Sequence, residues 1–109
     1  MNELYRKFTE LAGSRISGKS LDDHAAVACL IEVASRVYDK DLPVNVIFCL
    51  SEQEELGTRG AKTAAFALSP DEAVAVDVSF GNAPDVAPTK SGKLGGGAMI
   101  GVSPILNRK

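Results

Sequence analysis

The run of residues 44–50 (Val-Asn-Val-Ile-Phe-Cys-Leu) is apolar at every position except Asn45. A strand with one face in water alternates apolar and polar side chains, whereas a strand covered on both faces is apolar nearly throughout. Strands of the second kind occur in parallel sheets, where helices pack against both faces. The run therefore predicts a buried strand of a parallel or mostly parallel sheet.

Helical and extended patterns alternate on both sides of this strand. Residues 25–38 carry apolar side chains at helical spacing, and residues 61–68 do the same with small alanines that let a helix lie close to a sheet. Residues 73–78 and 98–102 are short apolar runs typical of further strands. This order is a set of βαβ units, which predicts an α/β fold with three layers, a mostly parallel sheet flanked by helices.

The remaining segments have weaker patterns. Residues 2–11 show a faint helical spacing, and residues 15–17 fit a short strand. Residues 80–97 predict a loop rich in glycine and proline that is long for a compact domain. Ser103 and Pro104 resemble the start of another helix. We therefore expect this chain to be part of a larger protein.

Acidic residues follow the predicted strands or open the helix before them. Three carboxylates fall within four residues directly after the apolar run, and two of them are Glu54 and Glu55. Asp22 and Asp23 open the helix before the run, and Asp77 lies near the end of the strand at residues 73–78. Sites in parallel sheets lie outside the carboxyl ends of the strands. The sequence therefore predicts that these five acids meet at one rim of the sheet.

Convergent carboxylates with no basic partner are best explained by a divalent metal ion. Carboxylate oxygens suit hard cations, and they also bind zinc and cobalt. Two adjacent metals activate water and polarise a carbonyl, and a nearby glutamate that is not a ligand can act as general base. The pair Glu54 and Glu55 suits this division of roles. On spacing alone, a solvated loop after a strand and a helix cap at Asp22 remain an alternative.

Length, composition and charge limit the classes of protein to which this chain can belong. The 109 residues fit one domain, and 45% hydrophobic with 24% charged residues indicate a globular chain. A net charge of −2 without a basic stripe argues against a nucleic-acid surface. No run approaches the ~20 apolar residues of a membrane span. Cys29 and Cys49 lie in apolar segments, which predicts buried reduced thiols and a cytoplasmic protein.

Four short motifs occur in order along the chain. They are Gly-Lys-Ser-Leu-Asp-Asp at residues 18–23, Ser-Glu-Gln-Glu-Glu-Leu-Gly at 51–57, Arg-Gly-Ala-Lys at 59–62 and Ala-Val-Asp-Val at 75–78. Together they resemble the M42 metallopeptidases of the glutamyl aminopeptidase type, a family also described as endoglucanases or cellulases. The resemblance extends from Ile16 to the last residue.

The resemblance implies a role for each acid. Asp22 would bridge two divalent metal ions, which would be zinc or cobalt, with manganese also possible. Asp23 would support the site beside it, across a peptide bond that is cis in related metallopeptidases. Glu55 would bind one metal and Asp77 the other. Glu54 would be the general base, taking a proton from the metal-activated water and passing it to the leaving amine.

The resemblance also implies that residues 1–109 are a partial catalytic domain with an incomplete, zinc-exopeptidase-like fold. The family takes one histidine ligand from an N-terminal segment and another from a C-terminal part, and it carries an inserted dimerisation domain upstream of the aspartate pair. All three would lie outside this chain. His24 stands where the family usually has arginine, and we expect a polar helix-start residue there rather than a ligand.

The implied function is hydrolysis of the N-terminal peptide bond of peptides by a di-metal aminopeptidase. The parent protein is expected to be a homo-oligomer that acts on peptides, with no nucleic-acid or membrane partner. The chain alone is expected to bind metal weakly and to have negligible activity, because its acids would repel one another without the histidines.

Two alternatives remain open. A glycoside hydrolase of the endoglucanase type would use Glu54 and Asp77 as paired carboxylates ~5–9.5 Å apart, and would cleave glucan without metal. A non-catalytic α/β module would cleave neither peptides nor glucan. A histidine before this segment and another after it in the parent sequence would favour the peptidase.

Overall fold

The computed structural model of the protein describes residues 8–102. The chain divides into two compact units, Met1–Val78 and Ser79–Lys109. The first unit contains two strands, β1 (Thr9–Leu11) and β2 (Arg15–Ser17), and two helices, α1 (Leu21–Val37) and α2 (Arg59–Leu68). Within the described residues, no helix combines the length and the apolar character that crossing a membrane requires.

The strands β1 and β2 form an antiparallel pair in which Thr9 lies opposite Ser17 and Leu11 opposite Arg15. The turn between them contains Gly13 and Ser14, both with positive φ. The predicted strand at residues 15–17 is confirmed. The helical prediction for residues 2–11 is wrong at its C-terminal end, because strand pairing across this tight turn outweighs a faint helical spacing, and residues 1–7 lie outside the described part.

Helix α1 confirms the helix predicted at residues 25–38. Ala26 is buried, and Val27, Leu30, Ala34 and Val37 are partly buried, so they mark the inward face. On the exposed side, the Arg36 Nε donates a hydrogen bond to the Glu32 carboxylate at 2.7 Å, which is an i, i+4 pair.

The first turn of α1 is irregular. Asp22 and Asp23 have non-helical backbone angles, and the peptide bond between them is cis, as the resemblance implies. Regular helix begins at His24. The Asp23 carboxylate accepts a hydrogen bond from the Ala26 backbone N–H at 2.8 Å, which is the geometry of an N-cap. The cap is therefore supplied by Asp23, whereas the alternative drawn from spacing alone places the cap at Asp22.

We expect the Asp23→Ala substitution to lower the free energy of unfolding by about 0.5–2 kcal/mol, because it leaves the Ala26 N–H without its capping partner. Asn caps helices about as well as Asp, so Asp23→Asn should unfold close to the wild type. Urea unfolding followed by circular dichroism measures both variants. Equal losses in the two variants would contradict the capping role.

Helix α2 begins two residues before the predicted segment and ends with it at Leu68. Ser69 adopts a left-handed conformation, and its N–H donates to the Ala65 carbonyl at 2.9 Å. Pro70 follows at once, and a proline there cannot continue the helix. Helix α2 therefore stops at the end of the predicted segment.

The predicted sheet is not formed by the described residues. Within residues 8–102 the only strands are β1 and β2, and residues 44–50, 73–78 and 98–102 have no strand partner. Parallel strands take their hydrogen bonds from segments distant in the chain, so an apolar run alone cannot complete one. Apolar side chains of the run are accordingly exposed, with Val44 at 65% and Ile47 at 55%.

The cysteines share this environment. Cys29 and Cys49 are free thiols, as predicted, but both are exposed, so the expectation of burial is wrong for this structure. Cys49 lies in the uncovered apolar run, and Cys29 lies on the outer side of α1.

The second unit, Ser79–Lys109, begins with the predicted long loop. The Gly92 N–H donates to the Phe80 carbonyl at 2.9 Å, next to a parallel bridge between Gly81 and Gly92. A short 3₁₀ helix at Pro88–Lys90 lies within the loop. The Ser91 hydroxyl lies 3.0 Å from the Asn82 side-chain oxygen, within hydrogen-bond distance. The loop therefore closes on itself.

Candidate active site

One cavity of about 330 Å³ in the first unit is lined by all five acids that the sequence singles out, Asp22, Asp23, Glu54, Glu55 and Asp77. These acids come from three separate parts of the chain, the start of α1, the segment before α2 and residues 76–77. Further lining residues are His24, Ala26, Val27, Leu30, Cys49, Leu50, Ser51, Gln53 and Val76. The lining of this cavity thus combines acidic and apolar side chains.

The start of α1 gives its two aspartates different partners. The Asp23 carboxylate caps the helix through the Ala26 N–H. No hydrogen bond within residues 8–102 uses the Asp22 carboxylate. Since a capping oxygen is already committed to the backbone, Asp22 is the aspartate whose oxygens remain available to a ligand in the cavity.

We call residues 52–58 the acidic loop. Its backbone carbonyls accept hydrogen bonds from its own end and from the first turn of α2: Thr58 N–H donates to Glu54 at 2.8 Å, and Gly60 N–H donates to Glu52 at 3.1 Å. The first N–H groups of a helix need partners from outside it. Here loop carbonyls fill that need, so the carboxylates of Glu54 and Glu55 are not used as caps.

A lysine of α2 adds a further link to the acidic loop. The Lys62 ammonium donates to the Gly57 carbonyl at 3.0 Å. Gly57 has a φ of +98°, and Gln53 and Thr58 also have positive φ. These conformations turn the chain sharply between the apolar run and α2, which places Glu54 and Glu55 at the cavity wall.

Asp77 lies at the cavity wall close to the end of the first unit. One of its carboxylate oxygens accepts a hydrogen bond from the Val78 backbone N–H at 2.7 Å. The side chain is exposed, as are those of Asp22, Glu54 and Glu55. The acidic wall of the cavity is therefore open to solvent and accessible to ligands.

The carboxylates of this cavity are of the chemical type that binds divalent cations, because carboxylate oxygens are ligands for zinc, manganese and related ions. They do not form a metal cluster in this conformation: among residues 8–102, no three side chains of His, Cys, Asp or Glu lie close enough to one another to hold an ion. The roles assigned to the five acids therefore remain predictions.

Nine lining residues were not singled out as site residues by the sequence, and His24, Gln53 and Cys49 are among them. His24 follows the aspartate pair, Gln53 lies inside the acidic loop, and Cys49 is the penultimate residue of the apolar run. His24 and Gln53 directly adjoin a predicted acid, whereas Cys49 lies five residues before Glu54. Adjacency to the predicted acids is the signal that would have identified His24 and Gln53, and it does not extend to Cys49.

The sequence profile of the M42 glutamyl aminopeptidase family matches residues 2–109. This chain belongs to the M42 family. The resemblance drawn from four short motifs is thereby confirmed, and the match extends it to nearly the whole chain.

Individual relatives carry aminopeptidase names. A lysyl aminopeptidase of Pyrococcus furiosus is 32% identical to this chain over all 109 residues of the chain. A putative aminopeptidase of Acetivibrio thermocellus is 39% identical over 84% of the chain, and a glutamyl aminopeptidase of Lactococcus lactis is 35% identical over 81%.

These relatives are much longer than the M42 chain described here. The aligned segment spans 31% of the Pyrococcus protein, 27% of the Acetivibrio protein and 24% of the Lactococcus protein. The chain therefore corresponds to about a quarter to a third of each relative. No solved structure matched the chain.

Proposed function

We propose that this chain forms part of the active site of a di-metal aminopeptidase, which hydrolyses the N-terminal peptide bond of peptides. The observation that carries the proposal is the cavity lined by Asp22, Asp23, Glu54, Glu55 and Asp77 in a chain of the M42 family. Membership of the family and the aminopeptidase names of the relatives support the choice of substrate class.

Asp22, Glu55 and Asp77 are the residues proposed to hold the metals, with Asp22 shared between the two ions. Their carboxylates suit zinc, cobalt or manganese, and the open cavity wall allows ions to enter. When bound, a pair of such ions would activate water and polarise the carbonyl of the scissile bond. Asp22 is well suited to the shared position because its oxygens have no partner among the described residues.

Glu54 is proposed as the general base. It lies at the cavity wall, and its carboxylate makes none of the hydrogen bonds within residues 8–102, so it can accept a proton from the attacking water and donate it to the leaving amine. Asp23 fixes the start of α1 by capping it, and this holds Asp22 beside it at the cavity.

The proposal includes the layered fold that the described residues do not complete. In the whole protein, residues 44–50 and 73–78 would be strands of a mostly parallel sheet flanked by helices on both faces. The exposed apolar side chains of the run support this, since a sheet covered on both faces would bury them. A cytoplasmic location and a homo-oligomeric parent protein remain predictions.

The 109-residue chain alone is expected to show no measurable hydrolysis of aminoacyl anilides, because its acids are only part of the proposed ligand set. Activity should appear in a hybrid enzyme, in which residues 2–109 replace the matching segment of the Pyrococcus furiosus lysyl aminopeptidase. Anilide hydrolysis with added zinc, cobalt or manganese measures both proteins.

The outcomes separate the candidate functions. Turnover by the isolated chain with tightly bound metal would contradict the proposed incompleteness. A folded hybrid that binds two metals but stays inactive would contradict the assigned roles. A folded hybrid that binds no metal would favour a non-catalytic module.

A further inference from the structure

We propose that Gly60 is a positioning residue for the acidic loop. The absence of a side chain at this position lets the Glu52 backbone lie against the first turn of α2, and this contact sets the position of Glu54 and Glu55. The functional part of the inference rests on the proposed function, whereas the contact itself does not.

The contact is close enough to exclude any side chain. A Cβ built on Gly60 would lie 2.5 Å from the Glu52 carbonyl oxygen and 2.8 Å from the Glu52 nitrogen. Separations under 3.0 Å are essentially never found for real Cβ atoms. Both opposing atoms belong to the backbone, so they cannot rotate away as a flexible side chain would. A residue with a side chain would therefore have to displace the acidic loop.

The backbone conformation of Gly60 does not require glycine. It is not among the glycines with positive φ, and it lies inside α2. Glycine weakens a helix relative to alanine, so helix propensity alone would favour alanine at this position. The close approach of the Glu52 backbone is what explains the glycine.

Hydrogen bonds hold the acidic loop in place at this close contact. The Gly60 N–H donates to the Glu52 carbonyl at 3.1 Å, and the Arg59 N–H donates to the Gln53 carbonyl at 3.3 Å. The next carbonyl, that of Glu54, accepts from Thr58 at 2.8 Å. Three successive loop carbonyls are thus tied to the start of α2. A displacement of the Glu52 backbone would therefore also displace Glu54, because these hydrogen bonds link the two positions.

Gly57 provides a contrast within the same loop. Its φ is +98°, and a Cβ built on it would meet nothing within 4 Å. Glycine is therefore favoured there by conformation and not by space. Any side chain at Gly57 is strained by the positive φ, but Asn is among the residues that most readily accept such angles, so Gly57→Asn adds conformational strain without a clash. The two positions separate a steric role from a general need for loop glycines.

The test compares Gly60→Ala with Gly57→Asn by amide hydrogen exchange in the 109-residue chain and by kinetics in the hybrid enzyme. We expect Gly60→Ala to speed exchange at the amides of Thr58 and Arg59 about 10-fold or more while amides in the middle of α1 keep their rates. In the hybrid it should lower kcat by about 10²-fold with little change in KM, because a misplaced base slows the chemical step. Gly57→Asn should stay within a few-fold of wild type in both measurements.

Several results would overturn the inference. Slower exchange at Thr58 and Arg59 in Gly60→Ala would mean that helix propensity outweighs the contact. Equal acceleration in α1 would indicate general unfolding, and an unchanged kcat would show that the glutamates do not depend on the contact. If the wild-type hybrid is inactive, the proposed function fails, and the exchange measurement on the chain alone still decides whether Gly60 positions the acidic loop.

Discussion

Replacement of Glu54 with glutamine in the hybrid enzyme is expected to lower kcat by about 10²–10⁴-fold, the range typical of a lost general base. Glutamine keeps the size of the side chain and can still form hydrogen bonds, but it cannot accept the proton of the attacking water at neutral pH. Because Glu54 is not proposed as a metal ligand, the variant should bind two metals as the wild type does. Steady-state kinetics and metal titration of the same sample measure the two properties.

The matched control is Glu52→Gln. Glu52 belongs to the same loop and carries the same charge, but it does not line the cavity. Its side chain can change while its backbone carbonyl still accepts the Gly60 N–H. An equal loss of kcat in both variants would mean that loop charge, and not a base at Glu54, determines the rate. A loss of metal in Glu54→Gln would instead make Glu54 a ligand.

Local signals in the sequence predicted the helices of the first unit well. Helix α1 follows from the spacing of its apolar face and from the aspartates at its start, and α2 ends with the predicted segment at Leu68. Both depend on interactions between residues close in the chain, such as the capping of Ala26 by Asp23. Such interactions are present whether or not the rest of a protein is.

The sheet could not be obtained in the same way. The apolar run at residues 44–50 carries the composition of a buried strand, but a parallel strand needs neighbours supplied by distant segments. Within residues 8–102 no segment pairs with it. The same lack of cover explains the exposure of Cys49, whose burial was inferred from the run.

The candidate site lies between these two cases. The five acids predicted at the ends of strands do line one cavity, although the strands themselves are not formed by the described residues. The sequence did not indicate how the acidic loop is held, because its ties are backbone hydrogen bonds and a close contact at Gly60. Every residue has a backbone carbonyl, so the residue types do not indicate which carbonyls accept these hydrogen bonds.

Asp22→Asn is expected to weaken metal binding in the hybrid enzyme by more than about 100-fold. Loss of a residue that only supports a ligand already weakens affinity by about 10–100-fold, and Asp22 is proposed as the ligand shared by both ions. Asparagine retains one oxygen donor but lacks the negative charge that two cations share. Hydrolysis should fall with the loss of metal and recover only in part at high metal concentration.

Thermal unfolding with and without metal provides a second measurement of the same prediction. A metal at 100 times its dissociation constant stabilises the folded protein by about 2.7 kcal/mol, and Asp22→Asn should lose most of this gain. Without metal the variant should unfold like the wild type, since no hydrogen bond within residues 8–102 depends on the Asp22 carboxylate. The matched control is Asp71→Asn, an exposed acid of the first unit that does not line the cavity. If both variants keep the metal-dependent shift, Asp22 is not the shared ligand and the assignment of the site must be revised.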